Sequence, residues 1–516
     1  MRRASHHRVP HQGEDAASTP TTGIDVSDVF QFDGNFLAGT FVPGTATFGV
    51  EDPATEEVFT EVPDGDLAQF DAAIGAAHRT FEAGTWATTP VEERVAVLLR
   101  MADWFEAHRA ELVETVIRET GSTAMIANWA QVGMALDQAR QIPELFATLP
   151  QWEHNELPVE ELIGSGRDVV MSIRQYEPCG VVAAITPYNF PFQTNVWKVA
   201  SALAAGCSVV LRPSPLTPLS GLVFGLAAAE AGLPDGVLSV VAEQGAAGAE
   251  LLTSDPRVDC VSFTGSTVVG RRIAAQAAPT VKRLCLELGG KSVQLYLPDA
   301  LGKVVPGACT VFSSHAGQGC SVQGRVLVPR ESLDEVVEQI AGAATTLPVG
   351  DPHDPNTLVG PLITAAQRDR VGGLVDEGVA AGGRLAAGGK RPEGLDKGYY
   401  YEPTVLVVDD NANPVAQREV FGPVVTVQGY RDLDEAVAIT NDTEYGLSAG
   451  VYTDDLKAGL ALAGRIRTGT VQVNRGFANA YTSVGGRKQS GVGRERGVEG
   501  LRQYQDTKHV VLAPLG

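Results

Sequence analysis

Cys320 closes the run Phe312-Ser313-Ser314-His315-Ala316-Gly317-Gln318-Gly319-Cys320, in which most residues ahead of the sulfur are small or polar. With so little bulk around it, the thiol reads as one built to be reached. A cysteine becomes a nucleophile when it ionises, which exposure beside a helix N-terminus favours. The opposing reading is an inert core thiol, the ordinary state of a free cysteine, although Gly-Gln-Gly argues against tight burial. A reacting sulfur needs a base and an oxyanion donor. Glu287 follows the apolar-rich Leu284-Cys285-Leu286, so it stands at an interior strand end. There a carboxylate pKa rises toward that of a general base; pairing with Lys291 or a nearby Arg is the alternative. Asn189 lies in Thr186-Pro187-Tyr188-Asn189-Phe190-Pro191. Its uncharged N–H can hold an oxyanion without neutralising a thiolate; equally it can cap the helix that Pro191 opens.

Three other stretches suit a nucleotide. Phe263-Thr264-Gly265-Ser266-Thr267-Val268-Val269-Gly270 reads as strand, small-residue turn and helix start, where a pyrophosphate can approach backbone N–H groups. Arg212 in Leu211-Arg212-Pro213-Ser214-Pro215 ends a strand at the place where groups meet an adenosine ribose or its 2′-phosphate; a surface arginine in a proline-rich loop is the plainer reading. Glu419 and Phe421, before the strand at 424–428, can hold a ribose and a flat ring, or form an ordinary charged turn. Gly491-Val492-Gly493 follows a polar loop rather than an apolar strand and is no dinucleotide fingerprint.

These residues need a frame. Apolar runs at 180–185, 208–211, 237–241 and 260–263 alternate with helical stretches at 191–206 and 219–231. That order predicts a doubly wound parallel sheet with ligands at the strand carboxyl ends. A second α/β series begins after Glu287 and carries Cys320, with strands at 292–296, 325–328, 404–408, 424–428, 448–452 and 470–473. Earlier, strands and a hairpin are expected at 30–48 and a helix at 66–83. Thr89-Pro90-Val91-Glu92 reads as a capping box opening a helix that continues to Thr120, with Gly121 as its C-cap. The stretch 151–176, containing Gly164-Ser165-Gly166, reads as a protruding hairpin for subunit contact, and the terminal strand at 507–512 is placed against it.

At 516 residues the chain is too long for one core. Its net charge of -22 repels phosphate backbones, so nucleic acid is not an expected partner. No apolar run reaches the ~20 residues needed to span a bilayer, so no membrane partner is expected. Six cysteines without a CxxC pair suggest reduced thiols. Residues 1–23 lack the apolar segment of a secretory signal and read as a disordered extension, with the cytoplasm as the compartment. No metal is expected.

Together the segments at 186–191, 263–270, 287–292, 317–320, 419–424, 441–447 and 485–491 resemble, in order and spacing, the NAD(P)-dependent aldehyde dehydrogenases. The likeness runs from about Phe30 to the end. Glu287-Leu288-Gly289-Gly290-Lys291 and Gly317-Gln318-Gly319-Cys320 are its most specific parts. The resemblance implies an α/β fold: a Rossmann-like cofactor domain (25–152 and 173–288), an α/β catalytic domain (289–482), and a small β oligomerisation excursion (153–172 with 483–516), after an extension at 1–24. It implies Cys320 as nucleophile, Glu287 as the base for the hydrolytic water, Asn189 with the Cys320 N–H as oxyanion site, and Lys198 as a support. Glu495 matches a second carboxylate in a proton relay. Ile185, Thr186, Pro187, Tyr188, Arg212, Ser214, Pro215, Gly265, Ser266, Val269, Leu288 and Gly289 are implied cofactor contacts. Glu419 is the implied ligand of the nicotinamide ribose, with Phe421 beside the ring. Phe190, Thr194, Trp197 and Phe477 are the implied substrate contacts and suggest an apolar or aromatic aldehyde, while Arg475 in the same loop keeps a semialdehyde open.

The departures bear on the cofactor. The family usually has Lys where Arg212 stands and often Glu where Pro215 stands. Pro215 removes the usual support for NAD, and Arg212 could tolerate NADP, so the cofactor is NAD or NADP with NAD slightly favoured. Tyr188 replaces a usual Trp, and the loop at 243–248 lacks one or two usual glycines. The expected partner is a small aldehyde, and the expected assembly a homodimer or homotetramer. A CoA-acylating dehydrogenase is the enzymatic alternative, against which Glu287 argues. A non-catalytic binding protein of the same fold is the alternative from another class.

Overall fold

The computed structural model describes residues 29–157, 171–476 and 479–512. The extension at 1–24, the Gly164-Ser165-Gly166 turn and Phe477 lie outside the described residues. Two large sheets carry the molecule. The first has eight strands in the order Gly491–Val492, Arg283–Glu287, Cys260–Thr264, Val181–Ile185, Ser208–Arg212, Leu238–Val240, Gly34–Leu37 and Thr40–Pro43. Its five inner strands are parallel, and its edges are closed by antiparallel pairs. The three strands of the first half run outward from Val181–Ile185 to one side, and the two of the second half run to the other. The order therefore reverses between Val181–Ile185 and Cys260–Thr264. At such a switch the loops after neighbouring strands diverge and leave a crevice at the carboxyl ends. The Asn189 and Gly265 segments flank it.

The five parallel strands are apolar without alternation because helices cover both faces. The helix Pro191–Ala205 is buried along nearly its whole length between the sheet and the helix Met134–Ala147. That explains why its sequence has no polar face and how it can carry a fully buried Lys198 beneath the site.

The second sheet orders Arg384–Ala387, Thr404–Val407, Val424–Tyr430, Arg325–Pro329, Val293–Tyr296, Ser448–Tyr452 and Thr470–Val473, all parallel except the first. A third sheet pairs the terminal strand Gln505–Leu512 antiparallel with Met171–Pro178, which also pairs with Trp152–His154. The pairing of the tail with the excursion is as the sequence predicts.

Two local expectations fail. The capping box at Thr89 does not form. Its hydroxyl donates back to Thr85 O at 2.9 Å, and the helix Val91–Ala107 starts after Pro90 without a side-chain cap. A free carbonyl one turn earlier competes successfully for a short hydroxyl. The expected continuous helix also breaks at His108 (φ -109°, ψ 27°), so Arg109–Thr120 is a separate helix, and Gly121 ends it in the left-handed region as expected.

The two sheets meet where Cys320 lies. Gly317 has φ 73°, and a Cβ there would collide with the Gly422 carbonyl oxygen. Gly317→Ala is expected to destabilise the protein by about 1–3 kcal/mol, the cost of a strained backbone position. A thermal midpoint equal to wild type would show that this loop is not packed against residue 422.

Candidate active site

The cysteine loop is held by its own glutamine. Gln318 is fully buried. Its Oε1 accepts from Ile363 N at 3.0 Å, and its Nε2 donates to His315 O at 3.2 Å and Pro361 O at 3.4 Å. His315, Ala316 and Gly317 all have positive φ, a strained turn that these bonds over-determine. His315 Nδ1 shares a hydrogen bond with Ser122 Oγ at 2.9 Å, and burial pushes the imidazole down to about 3. It is therefore a neutral strut rather than a base.

Asn189 does not cap the helix that follows it; that helix has no side-chain cap. Instead Asn189 Nδ2 donates to Gln318 O at 2.7 Å. One N–H thereby ties the first sheet to the cysteine loop, and the amide's second N–H is left over beside Cys320. Gly290 is required by the same closeness, since a Cβ would strike the Cys320 carbonyl; at Gly289 a Cβ would lie 2.6 Å from Glu419 Oε2.

Cys320 keeps partial exposure to the cleft, but its surroundings are dense. Burial, then the charges of Glu287 and Glu419, pushes the thiol up to about 12, opposed by the Ser321 N–H. The helix Val304–Ser313 that precedes the loop ends, rather than begins, at it.

Glu287 ends its strand at the first sheet's edge pairing with Gly491. It is buried, and its Oε1 has no hydrogen-bond partner among the described residues. Burial, then Glu495, pushes it up to about 8, against Lys198, Arg494 and Arg496. No ion pair with Lys291 forms; the carboxylate near Lys291 is Glu419. Lys198 pairs with Glu495 and donates to Ser262 Oγ at 3.2 Å. Glu495 Oε2 is also without a partner. Two carboxylates and one lysine thus share a dry volume under the cysteine.

A cleft of about 650 Å³ runs from Cys320 and Asn189 along the sheet switch. Ile185, Thr186, Pro187 and Tyr188 line it from one strand end, and Gly265, Ser266 and Val269 from another. Arg212, Ser214, Gly289, Glu419 and Phe421 complete the expected wall. Pro215 and Leu288 do not line it. Pro215 is half-buried in its loop, and Leu288 packs under Gly270. Ser266 caps the helix Thr267–Ala277 by accepting from Val269 N at 3.3 Å, so the backbone N–H groups of an eleven-residue helix face the cleft. Tyr188 and Phe421 rings meet edge-on at 5.9 Å. Glu419 Oε1 accepts from Gly290 N at 2.8 Å, and burial pushes it up to about 7. An elongated cleft with a helix N-terminus midway, a buried carboxylate at one end and a slot between two helices at the other fits a dinucleotide.

Several lining residues went unread in the sequence. Ala249, Glu250 and Thr253 face Val269, Arg272, Ile273 and Gln276 across that slot. Their helical spacing was a signal for a face, but not for which face meets a ligand. Arg370 donates to Val420 O and Glu419 O, both at 2.7 Å, and Gln367 to Phe421 O at 2.8 Å. They fix the Glu419 segment, in which Phe421 has φ 57°. Of the substrate candidates, the Phe190 ring stands edge-on to His315 at 5.8 Å. Thr194 is buried and donates its hydroxyl to Phe190 O at 2.9 Å; none of Phe190, Thr194 and Trp197 lines the cleft around Cys320. Trp197 Nε1 donates to Gln138 Oε1, under the Arg496 guanidinium.

The sequence profile of the aldehyde dehydrogenase family matches residues 41–510. A geranial dehydrogenase of Castellaniella defragrans is 37% identical over 480 residues, spanning 92% of this chain and 98% of that one. A 3-succinoylsemialdehyde-pyridine dehydrogenase of a Pseudomonas species is 35% identical, spanning 90% and 94%. Among solved structures, a variant of aldehyde dehydrogenase C from Pseudomonas syringae, complexed with NAD+ and octanal, is 38% identical with a TM-score of 0.87, over 93% and 96% of the chains. An aldehyde dehydrogenase of Mycobacterium tuberculosis complexed with NAD+ is also 38% identical, with a TM-score of 0.89 over 95% and 99%.

With Cys320 a neutral thiol and Glu287 ionising near pH 8, alkylation of Cys320 by iodoacetamide in ligand-free protein is expected to be slow at pH 7. It should climb about tenfold per pH unit to pH 10, as the thiolate fraction does below its pKa. A plateau already reached at pH 8, with the modified residue identified by peptide mass, would contradict the raised thiol.

Proposed function

The chain belongs to the aldehyde dehydrogenase family, and on that premise we propose how its own residues divide the oxidation of an aldehyde to its carboxylic acid with NAD(P)+. The carrying observation is that Asn189 and Cys320, from distant stretches, line the same cleft, and that the buried Glu287 is close enough for its charge to act on the Cys320 sulfur. The Cys320 sulfur attacks the aldehyde carbon. Its proton passes to solvent as the bond forms, because a thiol near 12 does not ionise beforehand. The free N–H of Asn189 and the Cys320 backbone N–H stabilise the oxyanion of the tetrahedral thiohemiacetal, a term worth ~3 kcal/mol per donor. The dinucleotide, when bound, supplies the acceptor for the hydride that leaves this carbon. Cys320 then carries a thioester. Glu287 takes a proton from water, and the resulting attack on the acyl carbon releases the acid and restores the thiol. Lys198 and Glu495 hold the charge balance beneath Glu287, whose proton goes to the departing Cys320 sulfur.

The dinucleotide residues are Thr186 to Tyr188, Arg212, Ser214, Gly265, Ser266, Val269, Gly289, Glu419 and Phe421, with Ile185 beneath them. Phe190, Thr194 and Trp197 are the substrate contacts, and they favour an apolar or aromatic aldehyde, a reading supported by one relative named a geranial dehydrogenase and another solved with octanal. The first sheet serves as cofactor domain and the second as catalytic domain. The third sheet, with Trp152, Met171, Val511 and Leu512 exposed, is the surface for a homodimer or homotetramer. All six cysteines are free thiols, which suits the reducing cytoplasm; among the described residues no helix is long and apolar enough to cross a membrane.

Cys320→Ala should abolish oxidation across an aldehyde panel, followed by absorbance of the reduced cofactor, while calorimetry still detects cofactor binding; appreciable turnover would sink the assignment. Glu287→Gln should give one fast turnover and then a steady state slower by about 10²–10⁴-fold, the usual share of a general base. A rapid steady state would point to another base.

A further inference from the structure

We propose that Glu243 holds Arg212 in a buried ion pair that turns the adenosine end of the cleft toward a dinucleotide without a 2′-phosphate. Glu243 is thus a positioning residue for cofactor preference, and this rests on the reading of the cleft given above. Arg212 ends the strand beside the one that carries Thr186, in register with Ile185. In sheets of this order, the end of that second strand meets the ribose; an acid there takes its hydroxyls, and an arginine takes a 2′-phosphate. Here the following residues are Ser214, whose Oγ accepts from Leu216 N, and Pro215, so no acid follows Arg212. Read from the strand end alone, the site suits the phosphate.

The folded arrangement reverses that. Arg212 Nε donates to Glu243 Oε1 at 3.0 Å, and its Nη2 donates to Gly245 O at 2.6 Å. Glu243 comes from the loop after the next strand, Leu238–Val240, and its carboxylate also accepts from Gly248 N at 2.8 Å and Ala249 N at 2.9 Å. Both side chains are buried, and Glu243 does not itself line the cleft. Nη1 of Arg212 has no partner among the described residues, so the guanidinium still offers N–H donors, but with its charge already matched. The other cation at this end, Arg272, pairs with Glu250 at 2.6 Å. A 2′-phosphate would find each cation balanced by its own carboxylate, whereas a ribose hydroxyl needs only the donor. Discrimination comes from the unfavourable charge placed behind the contact.

The test is calorimetric titration of the ligand-free protein with 5′-AMP and 2′,5′-ADP, beside steady-state KM values for NAD and NADP. Wild type should bind 5′-AMP at least tenfold more tightly. Glu243→Gln keeps the shape and removes the charge, so it should move the binding ratio at least tenfold toward 2′,5′-ADP and lower the KM for NADP relative to NAD. Glu243→Asp keeps the charge and should stay within threefold of the wild-type ratio. Equal or tighter binding of 2′,5′-ADP to wild type, or a ratio in Glu243→Gln equal to that of wild type, would overturn the proposal. Failure of both nucleotides to bind would instead remove the underlying reading of the cleft.

Discussion

One hydrogen bond, Asn189 Nδ2 to Gln318 O at 2.7 Å, joins the end of a strand in the first sheet to the loop that carries Cys320 from the second. The reacting sulfur and the groups that serve it belong to different layers, so their spacing is set by how those layers dock. Most of what surrounds this bond defends it. Gln318 is pinned by Ile363, Pro361 and His315. Gly289, Gly290 and Gly317 are glycines because side chains there would push the layers apart. Arg370 and Gln367 stake the Glu419 segment against the same junction.

The second constraint is electrostatic. Glu287, Lys198, Glu495 and Arg212 are buried, and Glu419 is half-buried. A buried charge is tolerated when paired, and otherwise its proton equilibrium shifts. Both solutions occur. Lys198 pairs with Glu495, and Arg212 with Glu243. Glu287 and Glu419, whose compensation is partial, are pushed up instead. Glu287, the proposed base, keeps one carboxylate oxygen without a hydrogen-bond partner among the described residues. This is what a base needs if it must gain and lose a proton near neutral pH.

Cys320, Glu287 and Asn189 were legible in the amino-acid chain because each stands in a short segment whose residues serve backbone geometry next to a reacting group. The strands, and the helix from Pro191, were legible because apolar periodicity records which backbone groups must pair away from water. The reading failed where a local signal had a competitor. Thr89 bonded back to Thr85 rather than capping forward. The accessibility of Cys320 was legible from its small neighbours, but the charges that raise its thiol were not, since Glu287 and Glu419 lie more than thirty residues away on either side.

What the sequence determined by itself is thus the fold class, the succession of strands and helices along the chain, and the candidates for nucleophile, base and oxyanion donor. Only the tertiary structure decided that Asn189 ties two sheets, that Gln318, Gln367 and Arg370 brace the site, and that Arg212 is already matched by Glu243. The reason is physical. Backbone preference and apolar patterning act over a few residues and can be read along the chain. Desolvation and ion pairing depend on which distant residues share the same dry volume, and that is fixed only when the layers pack.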